Sequence, residues 1–290
     1  MTGTRPDEGG GKEFRRVAQE LRVRVANGSY PLNSYLPAQS ALATEFGVSR
    51  NIVQRVLEEL RNEGWIESRQ GTGSRVVKNQ RIRSWSPRAS RSRQALTLGP
   101  LISEAFEQPE VALDVYTLTS ESLDAHIRLQ SERIRAGHIT PQRIALRVLL
   151  PTESMTLPYP RAKDDKDDPR LHDRLHRITR RHTESLREAL MALEAENLVP
   201  SVELEIRHTP LTPTFKLYVI NGAEVLHGVY TIIERAMVLD DGDRITALDV
   251  LGYGATLTHH VKDADPTSPG SVFVEGMTTW FESVWTRLAD

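Results

Sequence analysis

Apolar residues recur at helical spacing at Phe14, Val17, Ala18, Leu21 and Val25, and this stripe predicts an amphipathic helix that Gly28 and Pro31 bring to an end. Pro37 then opens a short helix with Leu42, Ala43 and Phe46 turned inward. Gly47 supplies a sharp turn, because it tolerates positive φ without a Cβ clash, and Val48 plugs that turn. Ser49 is placed to cap a third helix, its hydroxyl accepting from a free backbone N–H. Ile52, Val53, Val56, Leu57 and Leu60 give that helix its buried side. The same spacing turns Arg50, Asn51, Gln54 and Arg55 outward near its N-terminus. A Gly-pointed hairpin follows, tipped by Arg69, Gln70, Gly71, Thr72, Gly73, Ser74 and Arg75. Helix, turn, helix and hairpin in this order predict a winged helix-turn-helix over residues 13–79.

From residue 99 the pattern changes to alternating helix and strand. Strands are predicted at 111–118, 144–150, 202–206, 215–220, 224–230 and 245–251. Helices are predicted at 121–136, 171–195 and 273–288. The fold class is therefore α+β multidomain, a winged head followed by an α/β body at 99–290. Residues 1–12 are polar and Gly-rich and are expected to be a disordered tail. Residues 80–98 hold Arg81, Arg83, Arg88, Arg91 and Arg93 among serines, with no acid. They are expected to form a basic linker that either lies along phosphates or is simply solvated.

Charge sharpens this division. Residues 1–95 carry 17 Lys and Arg against 9 Asp and Glu, and the remainder carries 20 against 30. A basic front and an acidic back suit a DNA-binding head on a body that does not bind DNA. The chain has 290 residues and no cysteine, so it has room for two domains and offers no disulfide or thiolate chemistry. No run approaches 18 apolar residues, and the N-terminus lacks the apolar core of a signal peptide, so a cytoplasmic location away from membranes is expected.

The outward residues carry the chemistry of the head. Arginine can fork onto guanine O6 and N7, and glutamine or asparagine can do the same on adenine. The expected DNA contacts are Gln39, Thr44, Ser49, Arg50, Asn51, Gln54 and Arg55 on the helices, with Arg69, Gln70, Gly71, Thr72, Gly73 and Arg75 on the wing. Residues 14–77 resemble the DNA-binding domain of the GntR family of bacterial transcription regulators. The resemblance rests on Leu36-Pro37, Leu42-Ala43, Phe46-Gly47-Val48-Ser49-Arg50, Val53, Leu57, Leu60, Glu63-Gly64 and Gln70-Gly71-Thr72-Gly73. It departs where the family has Glu-Arg and this chain has Gln39-Ser40, and where the family has Arg and this chain has Gln54. Asn33 stands where the family has Gly. The resemblance implies a homodimer on a near-palindromic double-stranded operator, regulation of transcription (most often repression), and a body that senses a small molecule or partner.

The body offers a second resemblance. Phe215-Lys216-Leu217-Tyr218-Val219-Ile220-Asn221-Gly222 and Gly228-Val229-Tyr230 resemble the centre of a phospholipase D-like fold. That family's motif is His, any residue, Lys, four residues, Asp. Lys216 matches, but Thr214 and Asn221 stand in the His and Asp positions. Around a second His-Lys pair, His260 and Lys262, Thr267 stands where Asp is needed. Threonine offers no imidazole nucleophile, so the resemblance implies a non-catalytic copy, and no enzyme activity and no cofactor are expected. Lys216 could still attract an anion, with His208, Tyr218, Asn221 and Tyr230 as its companions in an effector site.

Other constellations carry less. His172 and His176 lie four apart with His182 beyond, but arginines surround them, so a solvated face is expected rather than a metal site. Asp164, Asp165, Asp167 and Asp168 suit a solvated loop. Trp280, Phe281 and Trp285 suit a core or a dimer seam. The alternatives to a regulator are an architectural or plasmid-maintenance DNA binder without effector, and a DNA-targeted phosphodiesterase.

Overall fold

The structure is a computed structural model. It describes residues 8–26, 29–30, 34–62, 65–69, 73–76, 82–84, 98–239, 243–250 and 256–290. The chain divides into two compact units, Met1–Asn79 and Gln80–Asp290.

The first unit holds three helices, α1 (Glu8–Ala26), α2 (Gln39–Phe46) and α3 (Arg50–Asn62), and a hairpin of β1 (Ile66–Arg69) and β2 (Gly73–Val76). Val17, Leu21, Val25, Leu42, Val53, Val56, Leu60 and Trp65 meet in its core. Each such side chain contributes about 1.5–3 kcal/mol relative to exposure. Gly47 closes α2 at φ +65°, and its N–H reaches the carbonyls of Ala43 and Thr44. The hairpin gains a third strand-like segment, since Leu36 N donates to Ser74 O (2.8 Å) and Val76 N donates to Ser34 O (2.9 Å). Residues 8–12, expected in a disordered tail, belong to α1 instead. Once the Phe14–Val25 stripe has fixed the helix, each further residue adds a backbone hydrogen bond without a new nucleation cost, and the three glycines do not stop it. Ile52 is only half-buried, and α2 begins two residues after Pro37.

The second unit is built on a mixed seven-stranded sheet. Its strands are β3 (Ile82–Ser84), β4 (Glu110–Tyr116), β5 (Arg143–Pro151), β7 (Ser201–Thr209), β8 (Phe215–Ile220), β9 (Glu224–Val229) and β12 (Leu257–Val261), in the order β3-β12-β9-β8-β4-β5-β7. A smaller sheet joins β6 (Arg161–Ala162), β10 (Ile232–Val238) and β11 (Arg244–Val250). β4, β5 and β7 are parallel, and β4 is antiparallel to β8. The two parallel steps cross through α5 (Glu121–Arg135) and α6 (Arg170–Ala195). These helices and α4 (Leu98–Phe106) cover one face through Leu101, Ile102, Leu123, Ile127, Leu186 and Leu190. The other face is covered by α7 (Pro269–Arg287), where Phe281 and Trp285 are buried against Leu149, Leu217 and Val219.

Part of the expected linker is therefore structured. Ile82–Ser84 pairs in parallel with β12, which supplies the backbone partners that so short a polar segment lacks alone. The remaining linker arginines, Arg81, Arg88, Arg91 and Arg93, lie outside the described residues. α4 begins at the last residue of that stretch and carries Gly99-Pro100, which its first turn accepts because proline's missing N–H is not needed there. His182, expected on a solvated face, is buried, and its Nδ1 lies 2.8 Å from Asp124 Oδ2. Ser185 Oγ donates to the other oxygen of the same carboxylate (2.7 Å), so the charge buried between α5 and α6 is paired. Among the described residues no three His, Asp or Glu side chains group as metal ligands, and no helix is long and apolar enough to cross a membrane.

A Cβ at Gly270, in the first turn of α7, would meet the Val261 carbonyl oxygen at 2.5 Å. Alanine elsewhere in a helix gains about 1 kcal/mol over glycine. Here the obstacle is backbone of β12 and cannot swing aside. Gly270→Ala is expected to destabilise the second unit by about 1–3 kcal/mol in urea unfolding, the usual cost of overpacking, and a stabilised variant would contradict this packing.

Candidate nucleic-acid interface and the Lys216 cluster

In the first unit, burial of Val53, Val56, Leu57 and Leu60 sets the rotation of α3. Arg50, Asn51, Gln54 and Arg55 are exposed along its opposite side. Ser49 Oγ accepts from Ile52 N at 3.3 Å, capping the helix and satisfying one of its free donors. Gln39 and Thr44 are exposed on α2, and the Thr44 hydroxyl donates to Ser40 O (3.0 Å). Gln54 Nε2 donates to Glu58 Oε1 at 3.1 Å. The Arg55 guanidinium lies 5.2 Å from the centre of the Phe14 ring on α1, so this arginine leans back onto its own domain.

On the wing, Gly73 has φ +92°, a conformation that side-chain-bearing residues rarely adopt. Arg75 pairs with Glu67 directly across the hairpin (3.1 Å). Arg69 ends β1, and Gln70, Gly71 and Thr72 lie outside the described residues. Tyr35, which the sequence pattern did not single out, is half exposed beside Arg75 and 3.8 Å from where a Cβ on Gly73 would sit. Its signal was only a lone aromatic residue before Leu36-Pro37.

In the second unit, Lys216 is 3% exposed on β8, level with the C-terminal ends of the parallel strands. In open α/β sheets this edge is where ligands bind. Its Nζ lies 5.5 Å from the centre of the Tyr230 ring. The Tyr230 hydroxyl accepts from Leu118 N (3.0 Å) and lies 3.1 Å from Thr117 Oγ1. Burial pushes the Tyr230 phenol up to about 12. Tyr218, two residues along the same face, is also buried; burial raises its phenol, which is hydrogen-bonded to Ser122. α5 starts nearby, with the buried Ser120 as its N-cap.

Two of the expected companions are elsewhere. Asn221 sits in the β8–β9 turn at φ +51°, and its Oδ1 accepts from Ala112 N (2.7 Å). It is separated from Lys216 by the length of β8, roughly 16 Å at strand rise. His208 lies on β7, beyond β4 and β5, roughly 14 Å away at normal strand spacing. The structure thus brings together Lys216, Tyr218 and Tyr230, with Thr117 added, and leaves Asn221 and His208 apart.

The geometry of the first unit defines a winged helix-turn-helix. Residues 14–76 match the family model described as bacterial regulatory proteins, GntR family, so the head is a GntR-family domain. An uncharacterized HTH-type transcriptional regulator of Rhizobium meliloti is 34% identical over 29% of this chain and 34% of its own length. The mannosyl-D-glycerate transport/metabolism system repressor MngR of Escherichia coli is 41% identical over 24% of this chain and 28% of its own. The chain thus spans about a third or less of the length of these curated relatives. A solved GntR family transcriptional regulator from Listeria monocytogenes is 21% identical, covering 27% of this chain and 62% of its own, with a TM-score of 0.22.

Replacing Ser49 removes the cap without touching the core. Ser49→Ala is expected to cost about 1 kcal/mol, read as faster amide hydrogen exchange at Asn51–Val53, and unchanged exchange would contradict the cap.

Proposed function

We propose that the protein is a sequence-specific DNA-binding transcriptional regulator, with repression as its output. The observation that carries this reading is the rotation of α3, which turns Arg50, Asn51 and Gln54 to solvent at the N-terminal end of a helix braced by a wing. That end is the part of a recognition helix that meets base edges. The repressor MngR, similar over this head, agrees with the proposed output. Two-fold pairing of the chain on a near-palindromic site belongs to the same reading, since symmetric half-sites match a symmetric dimer.

In this reading the wing residues Arg69 to Gly73 and Arg75 hold phosphate, and Gln39, Thr44 and Ser49 position the head on the backbone. The second unit is the sensor, a phospholipase D-like sheet that does no chemistry. Thr214 is exposed and offers no imidazole nucleophile, while Lys216, buried beside the Tyr230 ring, is the residue that draws an anionic effector. Thr117, Tyr218 and Tyr230 supply hydroxyls around it.

Arg50→Ala is expected to weaken binding to a selected DNA site by at least tenfold, and Gln54→Ala to change which base is preferred. Electrophoretic mobility shifts on the site and its single-base variants measure both, and wild-type behaviour in both variants would contradict the recognition helix. For the sensor, saturating inorganic phosphate is expected to raise the unfolding temperature of the wild type and not of Lys216→Met. At 100 times its Kd a ligand adds about 2.7 kcal/mol. An equal shift in the two proteins would remove Lys216 from the site.

A further inference from the structure

We infer that Glu58 sets the base preference of the head by fixing the orientation of the Gln54 amide. This rests on the recognition-helix reading above and concerns a residue that reading does not use.

A glutamine side chain is ambiguous. Its carbonyl accepts, its NH2 donates, and a half-turn about the last bond exchanges them. A freely turning Gln54 could therefore meet several bases in either sense. In this structure it is not free, because Nε2 donates to Glu58 Oε1 at 3.1 Å, one helical turn along the same side of α3. A carboxylate only accepts, so it selects the orientation with NH2 toward Glu58 and carbonyl away from it. The pair is exposed, so it can form before DNA arrives and persist beside it.

The consequence for reading is specific. One proton of Nε2 is committed to Glu58, and the second remains available together with Oε1. Adenine presents an N6 donor beside an N7 acceptor, which this fixed pair of groups matches. Guanine presents two acceptors, O6 and N7, and would set O6 against the fixed carbonyl oxygen. Glu58 is thus a positioning residue that favours adenine over guanine at the position Gln54 reads. It also places a negative charge near phosphates, which costs affinity on every sequence. Its two effects have opposite signs and can be separated.

The test uses the full chain and a random-sequence DNA library. Sites are selected with the wild type, and affinities are then measured for single-base variants and for unrelated DNA. Gln54→Ala locates the position it reads. At that position Glu58→Ala is expected to weaken adenine-over-guanine discrimination by about twofold, the worth of an exposed pair one helical turn apart, where Gln54→Ala removes the larger bidentate contribution. Its binding to unrelated DNA should be unchanged or tighter. Glu58→Gln removes the charge and, because an amide can donate as well as accept, no longer selects one Gln54 orientation, so it should bind unrelated DNA as Glu58→Ala does and weaken the discrimination with it. Thermal melting of each variant verifies the fold. Wild-type discrimination in Glu58→Ala, where Gln54→Ala has changed it, would overturn the role of Glu58 alone. If Gln54→Ala selects the same sites as the wild type, the recognition-helix reading fails and the inference falls with it.

Discussion

The head depends on one constraint, the fixed rotation of α3 about its own axis. Val53, Val56, Leu57 and Leu60 are buried, with Val53, Val56 and Leu60 at 0% exposure. Rolling the helix by one position would expose several of these at about 1.5–3 kcal/mol each. The left-handed turn at Gly47 and the cap at Ser49 then decide where the helix begins. Once start and rotation are set, Arg50, Asn51 and Gln54 can only face outward. The polar edge is a by-product of how the apolar edge packs, and intramolecular contacts refine it. Arg55 is drawn back over Phe14, while Gln54 is held by Glu58.

The second unit obeys a different constraint. Its parallel strands need crossover helices, and where two of these pack on each other polar groups are buried between them. Asp124, His182 and Ser185 satisfy one another between α5 and α6. Arg147 forks onto Asp114 (2.7 and 2.8 Å) and reaches Glu282, tying β4, β5 and α7 together. Lys216 is set apart by its position, since it lies level with the C-terminal ends of the parallel strands, where α5 begins.

What could be read from the chain followed the range of the interactions involved. The helices of the head and the run β4, α5, β5, α6 declare themselves by local periodicity, and the turn at Gly47 by a single residue type. The strands β3, β6 and β12 do not, because their pairing comes from partners far along the chain, as when Ile82 meets Leu257; β10 is not predicted either, although it pairs with the neighbouring β11. The same limit explains the sensor site. Lys216, Tyr218 and Tyr230 lie close in sequence and in space, but His208 joins them by residue type alone, and strand order puts two strands between. Asn221 joins them by motif spacing, which an extended strand turns into distance. Among its sequence neighbours His182 reads as solvated, because its partner, Asp124, is on another helix.

The central claim is that this chain reads DNA sequence through the exposed edge of α3. The most direct measurement is the affinity of the full chain for DNA upstream of its own coding region, compared with a scrambled duplex of equal length and composition, across a salt series. The account predicts at least a thousandfold preference for the native duplex, the low end of specific recognition, and one that persists as salt rises. Equal affinities that fall together with salt would show attraction to phosphate alone and contradict it.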